Sequence, residues 1–203
     1  MRGVKASSSS DGGSPEGEVD VSRLDEGVEF VLEEARRVIT EADKKQIQSA
    51  LEALERSQRV FVYGAGRSGL VARAFAIRLM HLGYQTFVIG ETITAPVAKG
   101  DLVFLISGSG ETYPVVMTAE IAANIGATVV SVTSNPETGI AQYSDIVINL
   151  DTARKDAKKS EMAPLGTMFE STVWILLDGF VADLMVRLGQ TEVAMRKRHA
   201  TLE

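Results

Sequence analysis

Cysteine is absent from this 203-residue chain. Disulfides, thiol nucleophiles and thiolate metal sites are therefore excluded, and a reducing compartment fits. Histidine is scarce: His81 and His199 stand far apart, without the spacing of a zinc site. Positive charge is not in surplus. The net charge is -6, so a nonspecific nucleic-acid role has no electrostatic support. Long apolar runs are also missing. The start of the chain lacks the apolar segment of a secretory signal. The most apolar region, Thr172 to Leu188, is interrupted by Asp178 and Asp183, and its longest unbroken run is Val173 to Leu177. No membrane association is expected, and the cytoplasm is the expected location.

What is present suffices for one domain with a real core, since 45% of the residues are hydrophobic and 24% charged. Residues 1–20 are rich in Ser, Gly and charge and offer no face to bury, so a disordered tail is expected there. Residues 21–203 are expected to form the domain, with a helical arm in front and a helical tail behind. Leu24, Val28, Val31, Leu32, Ala35 and Ile39 recur at helical spacing. Asp43 with Gln46 reads as a capping box that opens a second helix running to about Arg56. Strands are then expected at Arg59–Tyr63, Gln85–Ile89, Leu102–Ile106, Ala127–Thr133 and Asp145–Leu150. Helices alternate with them, and Gly83 and Gly126 act as stops. This order implies a parallel sheet covered on both faces. Asp151–Pro164 reads as a long irregular loop. From about Gly166 to Leu188 a helix is apolar on nearly all sides, a pattern that asks for burial on several faces and so for a second subunit. Thr191–Glu203 ends the chain with a basic run at Arg196-Lys197-Arg198.

Two loops stand out. Gly64-Ala65-Gly66-Arg67-Ser68-Gly69 and Ser107-Gly108-Ser109-Gly110-Glu111-Thr112 each follow a strand and open a helix. Such loops aim free N–H groups, and the positive end of a helix dipole, at an anion. The first loop adds Arg67 and Ser68, and the second adds the hydroxyls of Ser107, Ser109 and Thr112. Taken alone, Gly64-x-Gly66-x-x-Gly69 also matches the dinucleotide fingerprint, with Glu91 about twenty residues on as a ribose acid. Two such loops at the ends of neighbouring strands point to one crevice for a phosphate. Small residues that merely permit tight turns are the plainer reading of each.

The pair GAGRSG (64–69) and SGSGET (107–112) resembles the SIS, or sugar isomerase, domain family. Gly90-Glu91-Thr92-Ile93-Thr94, Ala163-Pro164-Leu165-Gly166-Thr167 running on to Phe169-Glu170, and the ending Arg198-His199-Ala200-Thr201-Leu202-Glu203 narrow the resemblance to the 6-phospho-3-hexuloisomerases of that family. The resemblance covers nearly all of the chain from about residue 24. It implies a single α/β domain, a five-stranded parallel sheet flanked by helices in a flavodoxin-like three-layer sandwich. No cofactor and no metal are implied, and a homo-oligomer, a tetramer, is. The implied reaction converts D-arabino-hex-3-ulose 6-phosphate to D-fructose 6-phosphate through a cis-enediol(ate), in formaldehyde fixation by the ribulose monophosphate route. Another SIS-type isomerase, such as one for arabinose 5-phosphate, and a non-catalytic sugar-phosphate-binding regulator stay open.

Such a reaction needs a base and groups that manage two oxygens. Glu170 sits one turn into an apolar helix, where a carboxylate is out of place unless a site needs it. The resemblance makes it the base; its plainer role is to place negative charge at a helix start. Glu111 is a rival carboxylate within the phosphate loop. His199, on the resemblance, shuttles protons between the oxygens from a neighbouring subunit. His81 reads as structural. Arg67, Ser68, Ser107, Gly108, Ser109, Gly110, Glu111 and Thr112 are the candidate phosphate-binding residues, and Arg198 is a further candidate partner for the ligand.

Overall fold

The central strands are apolar throughout because both faces of their sheet are covered, which follows from the period-two alternation of side chains along a strand. The computed structural model describes residues 21–152 and 157–202. The expected tail at 1–20 lies outside the described residues. The strands are β1 (Arg59–Gly64), β2 (Gln85–Val88), β3 (Leu102–Ile106), β4 (Thr128–Thr133) and β5 (Ile146–Asn149). All are parallel, in the order β2-β1-β3-β4-β5. The helices are α1 (Ser22–Glu41), α2 (Lys44–Arg56), α3 (Gly66–Leu82), α4 (Tyr113–Ile125), α5 (Gly139–Gln142), α6 (Ala157–Met162), α7 (Thr167–Arg187) and α8 (Glu192–Arg196).

Val60, Val62, Leu102, Phe104, Val130 and Val132 point to one face, where Leu54 of α2, Phe75 and Leu79 of α3, and Phe169, Leu176 and Phe180 of α7 close over them. Phe61, Val103, Leu105 and Val129 point to the other face, against Val115, Ala119 and Ala122 of α4 and Ile140 of α5. The three layers and the five-stranded parallel sheet are those expected from the sequence. Gly83 and Gly126 end α3 and α4 at φ 108 and 87, a region that a Cβ disfavours. Among the described residues no helix is long and apolar enough to cross a membrane. The strand order reverses between β1 and β3, and in open parallel sheets ligands bind beyond the carboxyl ends of the strands at such a point.

Three expectations need correction. The arm helix α1 packs on α7, but it buries Phe30, Ala35 and Val38, while Leu24, Val28 and Leu32 remain 64%, 50% and 54% exposed. Two apolar stripes share that helix, and periodicity cannot say which one meets its own chain. The capping box is half made. The Asp43 carboxylate accepts from the Lys45 N–H at 2.8 Å, whereas the Gln46 side chain accepts from the Val147 N–H and ties α2 to β5. The segment read as an irregular loop contains α6, with 153–156 outside the described residues. On α7, Trp174 and Ile175 are 47% and 42% exposed in the single chain.

Candidate active site

The first loop is a close backbone approach. A Cβ on Gly69 would lie 2.5 Å from the Gly64 carbonyl oxygen, and one on Gly64 would lie 2.8 Å from the Ser68 carbonyl carbon. Glycine at both positions lets α3 start hard against the end of β1. Ser68 is buried in that first turn, and Arg67 is largely exposed beside it.

The second loop is held by the end of β4. The Ser107 N–H donates to the Val132 carbonyl at 3.0 Å, and the Ser134 N–H donates to the Gly108 carbonyl at 3.1 Å. Gly110 stands at φ 70, its N–H on the Ser107 carbonyl and its own carbonyl accepting from the Ile140 N–H. The Thr112 hydroxyl is 3.3 Å from both the Ser107 and the Ser109 hydroxyls, so three hydroxyls cluster at the mouth of the loop. The N–H groups of Gly108, Ser109 and Thr112 have no protein acceptor among the described residues. The helices that begin here, α3, α4 and α7, have no side-chain cap; α1 and α5 also lack one, and α2 and α8 are capped by Asp43 and Thr191. Unsatisfied donors at several converging helix starts form a site for an anion rich in oxygen.

Phe169 and Glu170 connect the two loops. The Phe169 ring lies against Gly108, so close that a Cβ there would come within 3.0 Å of it. The Glu170 carboxylate receives the Arg67 Nε at 2.6 Å. The glutamate side chain is 13% exposed and the arginine 65%. Arg67 uses only its Nε here, and its two terminal nitrogens have no protein partner among the described residues. The geometry thus gathers a carboxylate, a half-engaged guanidinium, three hydroxyls and free backbone donors at the carboxyl ends of β1 and β3.

Other candidates are placed differently. The Glu111 carboxylate faces away from this cluster and accepts from the Gly139 N–H at 3.1 Å, tying the loop to α5. Glu91, the ribose-acid candidate, pairs with Arg73 at 2.8 Å. Arg198 donates to the His81 carbonyl at 2.9 Å and to Gln190, closing the far end of α3. His199 stacks on the buried His81, with ring centroids 5.2 Å apart. Arg67 and His81 are separated along α3 by roughly 21 Å at the usual helical rise. The protomer therefore does not bring its own His199 to Glu170. Sequence reasoning missed Gly166, Phe169, Thr133, Ser134 and Thr138 as supports of the site. Contacts between loops carry no sequence periodicity.

The SIS domain family matches residues 53–176 of the chain. The 3-hexulose-6-phosphate isomerase of Bacillus subtilis (strain 168) is 35% identical over 181 residues, covering 88% of this chain and 98% of its own. The 3-hexulose-6-phosphate isomerase of Methanocaldococcus jannaschii is 39% identical over 160 residues, covering 78% of this chain and 85% of its own. A crystal structure from Methanococcus jannaschii, for which a molecular function of 3-hexulose-6-phosphate isomerase was inferred, superposes with a TM-score of 0.76 at 34% identity. It covers 90% of this chain and all of that one.

Proposed function

The chain belongs to the SIS domain family, and from that premise we propose that it is a 3-hexulose-6-phosphate isomerase converting D-arabino-hex-3-ulose 6-phosphate to D-fructose 6-phosphate. The observation that carries the chemistry is the Glu170 carboxylate paired with Arg67 between the two glycine loops. The loops hold the phosphate through Ser68, Ser107, Ser109, Thr112 and the N–H groups of residues 108, 109 and 112. Glu170 removes the proton from C2, next to the C3 carbonyl, and the electron pair moves to give an enediolate with its negative charge on O3. The free nitrogens of Arg67 face that charge. The O2 proton passes to O3, C2 becomes the carbonyl, and Glu170 returns its proton to C3. Atoms balance with no redox partner and no metal. The test is to mix the purified protein with enzymatically prepared hexulose phosphate. Fructose 6-phosphate should form at a kcat of order 1–10³ s⁻¹, the common range for enzymes. Binding without turnover would turn the reading into that of a sugar-phosphate-binding regulator.

The unit that acts is a homo-oligomer, a tetramer on the family resemblance. Exposed Leu70 and Ile77 of α3, Trp174 and Ile175 of α7, and Leu24, Val28 and Leu32 of α1 form neighbouring apolar surfaces on helices that pack side by side. Monomers rarely leave so much apolar surface uncovered. His199 lines the groove between α3 and α7 together with Ile77, His81 and Trp174. A two-fold axis across the middle of α3 would set the His199 end of one subunit over the Arg67 end of its neighbour, where the imidazole can shuttle protons between O2 and O3. Light scattering should therefore give a multiple of the 21.8 kDa chain mass. Trp174→Glu should lower that mass and the activity together, and a monomeric, fully active wild-type protein would refute the shared site.

A further inference from the structure

The turn that leads into α7 carries its glycine where the backbone does not ask for one. The Thr167 N–H donates to the Pro164 carbonyl at 3.2 Å, closing a four-residue turn with Leu165 and Gly166 at its centre. The left-handed position is Leu165, at φ 55, the one non-glycine with positive φ among the described residues. Gly166 has φ -85 and ψ 2, a conformation that any residue adopts. A Cβ is disfavoured in the left-handed region and tolerated in the other. Backbone preference alone would put glycine at 165 and a side chain at 166, and the sequence does the reverse. Packing within the protomer does not account for the leucine, whose side chain is 98% exposed.

The carboxylate of Glu170 accounts for the glycine. A Cβ on Gly166 would lie 2.6 Å from Glu170 Oε1, 3.0 Å from its Cδ and 3.1 Å from Oε2, and these are the three nearest atoms it would meet. Arg67 Nε holds Oε2 of the same group at 2.6 Å. The carboxylate therefore rests between the bare α-carbon of residue 166 and the guanidinium of Arg67. We propose that Gly166 is a positioning residue, whose missing side chain lets Glu170 settle in the one place from which it reaches the substrate. The proposal rests on reading Glu170 as the base of the isomerisation. The atoms that a side chain at 166 would displace are the far end of a flexible glutamate and not backbone, so a substitution there moves the carboxylate and spares the fold.

Gly166→Ala should keep its melting temperature and its KM close to wild type, while kcat falls about 100-fold, the scale of an ångström-sized misplacement of a reacting group. In its crystal structure the Glu170 carboxylate should have left the Arg67 Nε. Gly166→Ala combined with Glu170→Gln should be no slower than Glu170→Gln alone, because both act through one group. Leu165→Gly should retain wild-type kcat and melt no lower than wild type. A Gly166→Ala enzyme with kcat within twofold of wild type, or with its carboxylate still on Arg67, would overturn the proposal. So would a lower melting temperature together with a raised KM and a lowered kcat, which would make the glycine a residue of the fold. If the wild-type protein does not isomerise hexulose phosphate, the reaction assignment falls, and the crystal structure of Gly166→Ala decides the positioning by itself.

Discussion

Glu170→Gln is expected to lower kcat about 10²- to 10⁴-fold, the usual contribution of a positioned general base, with KM nearly unchanged. Glutamine keeps the shape and still accepts from Arg67, so the loops that hold the phosphate have no reason to move. It cannot take the C2 proton. Stability should hardly respond. The Arg67–Glu170 pair has an arginine 65% exposed, and pairs open to water are worth at most about 1 kcal/mol. Glu111→Gln is the matched control. Its carboxylate accepts one N–H, from Gly139, a bond that glutamine can replace through its amide oxygen, so activity should stay within a few-fold of wild type. The check is steady-state kinetics on both variants with the hexulose phosphate. Full activity in Glu170→Gln, or the large loss in Glu111→Gln instead, would remove Glu170 as the base.

The contrast between these carboxylates also marks how far the sequence could be read. The sheet was legible because strands buried on both faces have to be apolar, and Leu102 to Ile106 has no other use. The two glycine loops were legible because a strand, a run of small residues and a helix start occur in one short stretch. The pairing of Glu170 with Arg67 was not, since it joins residues 103 positions apart and depends on how α7 lies across α3. Gly166 was visible only as part of a motif, because its reason is the space that a distant carboxylate needs. The outward stripe of α1 raises a related difficulty. Leu24, Val28 and Leu32 have the spacing of a buried face, and spacing alone does not distinguish burial against the same chain from an apolar face left open on one subunit. His199 is the extreme case: its place against His81 follows from the fold of the tail, and its use depends on a neighbour.

Gly110→Ala should be the most damaging single methyl in the phosphate cradle. The residue stands at φ 70, where a Cβ costs about 1–2 kcal/mol. That Cβ would also fall 1.8 Å from the Thr138 hydroxyl oxygen and 3.0 Å from that of Thr133. Thr138 cannot easily retreat, because its hydroxyl donates to the Asn135 carbonyl at 2.7 Å. Gly110 cannot retreat either, being bonded to Ser107 on one side and Ile140 on the other. Overpacking of this kind adds about 1–3 kcal/mol, so the variant should lose about 2–5 kcal/mol and melt roughly 5–15 °C lower. Thr138→Gly opens the space, and in the double variant the loss should fall short of the sum of the two single losses by about 1–3 kcal/mol. Strict additivity would mean that the clash is not the cause, and an unchanged melting temperature would mean that the loop is not braced as described. What survives folded should bind substrate worse, because the N–H groups of residues 108, 109 and 112 no longer converge. KM should rise in this variant, whereas in Glu170→Gln it is kcat that falls. Opposite behaviour in those two constants would separate the part of the crevice that holds the phosphate from the part that chooses the reaction.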